Sequence, residues 1–180
     1  TFKALSPGEF SVGMTADEHG TISADPDIIG GKAAKDSVIT FTALPETGYE
    51  VDKWSITPDF ALIEGGTRLS KTAKVKIITN TTVTVSFKKK EYWVFFNANG
   101  GSPEPKFQKV LYKEKASAPT EQPTKEGYDL EGWFNKDGDT LWDFAVNEVT
   151  KDTDLYAKWK AKTDMAYTVQ HLQQNISEDK

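Results

Sequence analysis

A chain of 180 residues with 12% aromatics, no cysteine and a net charge of −5 suits one domain or two small ones. Without cysteine it can build no disulfide framework, thiolate metal site or Cys nucleophile, and no apolar run approaches the roughly 18 residues of a membrane span. Residues 1–90 carry 11 basic and 11 acidic side chains, residues 91–159 carry 8 and 13, and residues 160–180 carry 3 and 3, so no segment is basic enough to condense onto phosphate.

Strand signals dominate in chain order. SVITFTA (37–43) alternates Ile39, Phe41 and Ala43 with Thr40 and Thr42. KVKI (74–77) alternates lysines with Val75 and Ile77, and TTVTVSF (81–87) sets Val83, Val85 and Phe87 against Thr82, Thr84 and Ser86. A period of two in β-branched residues predicts half-buried strands, and PETG (45–48), EGG (64–66) and TNTT (79–82) punctuate them as turns. Lys88-Lys89-Lys90, beside Glu91, reads as a solvated junction rather than a nucleic-acid patch.

After that junction the pattern restarts, which points to a tandem arrangement. YWVFF (92–96) is an apolar run, NANGGSPEP (97–105) is turn chemistry, and KFQKVLY (106–112) is a further strand candidate. SAPTEQPTKEG (117–127), with two prolines, is a loop or a short connection. YDLEGWF (128–134) places Tyr128, Leu130, Gly132 and Phe134 on one face, and Asp129, Glu131 and Trp133 on the other. KDGD (136–139) predicts a hairpin turn, with TLWDF (140–144) returning as the partner strand. DTDLYAKW (152–159) puts Leu155, Ala157 and Trp159 on one side. Met165, Val169, Leu172 and Ile176 would line one face of a helix, and a strand is equally open there.

A unit of about 70 residues buries only around 60% of its unfolded surface. Large aromatics supply the most burial per residue, so core is the default role of these rings, Phe134 and Trp159 among them. The ordered set FNANGG, EGYDLEGWF, WDF and VTKDTDLYAKW, over about residues 92–159, resembles the Listeria–Bacteroides repeat, also called the internalin-type B repeat. Leu130 stands where that family usually has an aromatic, and Phe134 where it usually has Tyr. HGTISA (19–24), ITFTALPETGYEVDKW (39–54) and TTVTVSF (81–87), within residues 11–87, resemble its divergent relative. The resemblance implies a mainly β chain, with α+β as the variant, of two tandem small β-grasp-like domains at 1–90 and 91–160. Residues 161–180 then form a linker or the start of a further module. It also implies a bacterial protein that is secreted or held at the cell surface. The Thr1 start, with no signal, sorting or lipidation motif, fits a piece of a longer protein or a processed chain.

Nothing in the sequence assembles a catalytic or metal site. His19 and His171 lie in different segments, without a second ligand at a spacing a helix could present. No G-x-S-x-G, P-loop or G-x-G-x-x-G occurs. NKDGDT (135–140) mimics a calcium loop, but its twelfth position is Val146 where a bidentate Glu is needed, so it reads as a turn. Asp25/Asp27 and Asp152/Asp154 read as surface charge, since paired catalytic carboxylates come from separate elements across a cleft. The sequons at Asn80 and Asn175 are assigned no role.

Together these readings predict no enzyme activity, cofactor or metal. They predict an extracellular repeat module that spaces or engages a host or bacterial surface protein beside neighbouring modules of the full-length chain, with no nucleic-acid partner and no membrane insertion. The alternative is a glycan-binding or accessory domain of a larger secreted enzyme. Exposed rings would then contact sugar, Trp133 first and Trp54 second.

Overall fold

The computed structural model describes residues 8–163. The 165–176 stretch, His171 and the Asn175 sequon lie outside the described residues. Regular structure among the described residues is strand, apart from single 3-10 turns at Ile29–Gly31 and Asp59–Ala61. Two compact units divide the chain. One is Thr1–Trp93 with Lys109–Lys115 and Glu148–Asp152; the other is Val94–Gln108 with Ala116–Asn147 and Thr153–Lys180.

The first unit contains β1 (Glu9–Ala16), β2 (Gly20–Asp25), β3 (Lys32–Ala34), β4 (Val38–Pro45), β5 (Tyr49–Thr57), β6 (Leu62–Gly65), β7 (Thr72–Lys76) and β8 (Thr81–Lys89). They form two sheets, in the orders β3-β1-β8-β5 and β2-β4-β7-β6. The alternation read from the sequence sets which side chains are buried. Ile39, Phe41 and Ala43 of β4, Val75 of β7, Ile77 just beyond it, and Val83, Val85 and Phe87 of β8 all belong to one core, with Trp54 and Val51. Their threonine and serine neighbours stay half-buried or exposed, apart from Thr81.

The remaining strands are β9 (Glu91–Asn97), β10 (Gln108–Leu111), β11 (Glu114–Lys115), β12 (Tyr128–Asn135), β13 (Glu148–Val149) and β14 (Thr153–Ala161). Their sheet order is β10-β9-β14-β12, with β11 and β13 as a separate pair. In the second unit β14 runs parallel to β9 and antiparallel to β12. Val94, Phe96, Ala98, Trp133, Leu155 and Ala157 are buried there.

Registers show one frame built twice. In the first repeat Val12 pairs with Thr81, and β8 in turn pairs with β5 so that Val85 faces Trp54. In the second, Val94 pairs with Thr153 and Ala157 faces Trp133. The residue before each parallel pair is clipped by the residue before the opposite strand. Ser11 N donates to Asn80 Oδ1 at 3.0 Å, and Trp93 N donates to Asp152 Oδ1 at 2.8 Å. Each central strand ends in an aromatic lying over a glycine. A Cβ on Gly20 would sit 2.5 Å from the Phe87 ring, and one on Gly101 would sit 2.3 Å from the Trp159 ring. Trp159 is half-buried rather than enclosed, and its Nε1 donates to Ala98 O at 2.9 Å.

Two expectations about the second repeat are corrected. TLWDF does not return as a strand. Only Phe134 and Leu141 form an isolated bridge, after which the chain turns. The Asp137 carboxylate spends itself on the turn, accepting the N–H groups of Asp139 and Thr140. The strict two-face alternation of residues 128–134 also fails. A register shift between Leu130 and Gly132 makes a β-bulge, which re-aims the side chains that follow it. Trp133 is therefore turned inward beside Ala157, and Phe134 takes the opposite face, where it is buried under other side chains.

Candidate interaction surface

The two tryptophans expected to meet a ligand do not face solvent. Trp133 is 3% exposed and Trp54 is 5% exposed. Both indoles are held at their polar edge: Trp133 Nε1 donates to Gln122 Oε1 at 3.2 Å, and Trp54 Nε1 donates to Ser70 O at 2.8 Å. Trp133 also meets Phe96 edge-on, with centroids 5.0 Å apart. The matching bulge between Val51 and Lys53 in β5 turns Trp54 inward in the same way. These rings are the cores of their units and offer no face on which a sugar could stack.

What differs between the repeats is the other side of the shared frame. Paired residues in a sheet share a face, and successive residues alternate. In the first repeat the outward row holds Gly13, Thr82 and Thr57, and the next holds Thr15, Thr84 and Ser55. Thr15 and Thr84 hydroxyls hydrogen-bond at 3.2 Å. At the same positions the second repeat places Phe95 with Asp154, then Asn97, Tyr156 and Phe134. A polar face has become an aromatic one. Phe134 is covered, with 7% exposed. Leu141 packs over neighbouring Gly132, its Cδ1 2.7 Å from where a Cβ would be, and Lys158 Nζ stands 4.5 Å from the Phe134 ring centre.

Phe95 remains 43% exposed, and Phe107, just before β10, is 59% exposed. Their ring centres are 6.2 Å apart and tilted by 54°. Beside Phe107 lies a groove of about 320 Å³, walled by Pro103, Pro105 and Pro119 and edged by Glu104 and Glu121. Glu104 is fixed there because both its oxygens accept Ala98 N at 3.1 Å. Gln108 closes one side, its amide bonded to both the N–H and the carbonyl of Ser117. Sequence reading took YWVFF as one apolar run. The outward Phe95 was visible only as the odd member between Val94 and Phe96, which are both buried.

Titratable groups with displaced pKa values are spent on local structure. The N–H groups of Asp139 and Thr140 hold the Asp137 carboxyl below its usual range. The hydrogen bond from Lys74 does the same for Glu64, and the bond to Glu114 raises Lys89. His19 stacks on Tyr49 with centroids 4.1 Å apart. No group of three or more His, Asp or Glu side chains able to hold a metal ion occurs among the described residues. No helix among them is long and apolar enough to cross a membrane.

Comparison with known proteins agrees with the doubled frame. Residues 92–158 match the Listeria-Bacteroides repeat domain, and residues 10–91 match the divergent InlB B-repeat domain. Two proteins of Evansella cellulosilytica are similar over about half of the chain. One, named "Putative Gly-rich membrane protein", is 35% identical over 86 residues, 47% of this chain and 10% of its own length. The other, named "Putative membrane protein", is 36% identical over 89 residues, 48% of this chain and 13% of its own length. The chain thus spans only a small part of the relatives it matches.

Proposed function

We propose, from the premise that the chain belongs to the divergent InlB B-repeat and Listeria-Bacteroides repeat families, that it is a non-catalytic module of a bacterial surface or secreted protein. Its work is to space the modules beside it and to engage another protein. The observation that carries this reading is the doubled frame itself. One strand arrangement is built twice, and its matching tryptophans, Trp54 and Trp133, are consumed as core in both copies. Small units that spend their apolar residues this way have little left to wall a catalytic pocket, but they can offer flat faces and strand edges. The groups with displaced pKa values, Asp137, Glu64 and Lys89, support the same view, since each serves a turn or an exposed ion pair. The names of the two relatives fit a protein held at a membrane or displayed outside it.

Two measurements test the proposal. Protease applied to intact cells that make the parent protein should remove this segment; survival of the segment until lysis would remove the surface assignment. Ester, peptide and glycoside substrates should show no turnover, and hydrolysis that persists through repurification would overturn the non-catalytic reading.

A further inference from the structure

We propose that the outward face around Phe95, continued into the groove beside Phe107, is a docking surface for an extended segment of a partner protein carrying basic and apolar side chains; this rests on the protein-binding reading above and assigns its site. The internal comparison is the first support. The first repeat builds the same strand frame with Gly13 where the second has Phe95, and with Thr84 where the second has Tyr156. The frame therefore does not need rings at these positions. Exposed aromatics that folding does not require are the residues protein interfaces favour.

Shape is the second support. Two rings tilted by 54° do not form one flat platform for the apolar face of a sugar chain. They do make a notch for a side chain. The neighbouring groove, about 320 Å³, has proline walls, which are stiff and lack N–H groups needing partners. A stiff groove edged by the Phe107 ring and continued by Phe95 suits a short extended peptide.

Charge selects the occupant. Glu104 and Glu121 edge the groove against Lys106 alone, and on the sheet face Asp154 stands in register with Phe95 while Lys158 is turned over the Phe134 ring and donates to Gly138 O. Residues 91–159 carry 13 acidic against 8 basic side chains. A cationic segment is steered toward such a surface, and an acidic one is repelled.

The test probes the whole chain on an array of short random-sequence peptides and on a glycan array, comparing wild type with Phe107→Ser, Phe95→Thr and, as a control on another exposed ring, Phe60→Ser. The expected result is a set of peptide hits rich in Lys or Arg together with Pro or aromatic residues. Affinity for these hits should fall about tenfold or more in Phe107→Ser and Phe95→Thr, as for interface anchors. Phe60→Ser should leave them unchanged, and added salt should weaken them. An unchanged urea midpoint confirms that the variants are folded. Peptide hits indifferent to Phe107, no hits at all, or glycan hits abolished by Phe107→Ser would each overturn the proposal. Absence of peptide binding together with surface display and no turnover would leave the module a spacer, so the two readings fail separately.

Discussion

Replacing Gly101 by Ala adds one methyl group where the Trp159 ring already lies, 2.3 Å from the new Cβ at Cζ2 and 3.0 Å at Cη2. The ring must shift, and Trp159 Nε1 then loses alignment with Ala98 O. Overpacking of this size costs about 1–3 kcal/mol. The backbone at Gly101 needs no left-handed conformation, so the cost is steric and belongs to the ring. A double-mutant cycle isolates it. In a Trp159→Ala background, Gly101→Ala should cost less than about 1 kcal/mol, the remainder reflecting the Thr124 carbonyl 3.1 Å away. Gly20 is the built-in contrast. Its Cβ would meet the Phe87 ring at 2.5 Å and also the Leu44 carbonyl oxygen at 2.7 Å, so removing the Phe87 ring should rescue Gly20→Ala only in part. Urea midpoints give the energies at constant slope, and amide exchange in β8 and β14 reads the two frames separately. Equal costs for Gly101→Ala in both backgrounds would refute the ring-over-glycine reasoning.

Other outcomes follow from the same geometry. Trp133→Ala should lose roughly 3–5 kcal/mol, and Trp54→Ala a similar amount, as read from urea midpoints; near-wild-type values would take either ring out of the core. Asp152→Ala removes the carboxylate that accepts Trp93 N and should cost about 1 kcal/mol, while Asp152→Asn, which keeps an acceptor as Asn80 does in the first repeat, should cost less. Asp137 and Glu64 have pKa values held down by folding, so their stabilisation is present above the ordinary carboxylate range and lost as pH falls through the lowered values. Asp137→Asn should flatten that acid limb in a pH series of thermal unfolding, and an unchanged limb would show that Asp137 contributes nothing to it.

Much of the frame was legible because it rests on period two. Val83, Val85 and Phe87 alternate with hydroxyl residues in β8, and burial follows that alternation. The same reading failed at Trp133, since a bulge between Leu130 and Gly132 leaves no mark in the hydrophobic pattern beyond the glycine itself. Trp54 was misplaced for a related reason: a lone Trp between Lys53 and Ser55 looks solvent-facing until the bulge at Asp52 is counted. TLWDF reads as a strand by composition, yet after the Phe134–Leu141 bridge the Asp143 carboxylate and the Asn147 side chain bond local backbone N–H groups and turn the chain. Phe95 could not be singled out because exposure depends on which neighbour lies across the sheet.

The division between a load of core residues and an outer face that folding does not need can be measured in one experiment: urea unfolding of the Phe95→Thr/Phe107→Ser double variant beside Phe96→Ala. The double variant should stay within about 0.5 kcal/mol of wild type, as surface changes do. Phe96→Ala, which removes a buried ring facing Trp133 and Phe144, should lose about 3–5 kcal/mol. A loss in the double variant comparable to that of Phe96→Ala would contradict it, placing Phe95 and Phe107 in the fold rather than on a face free to meet a partner.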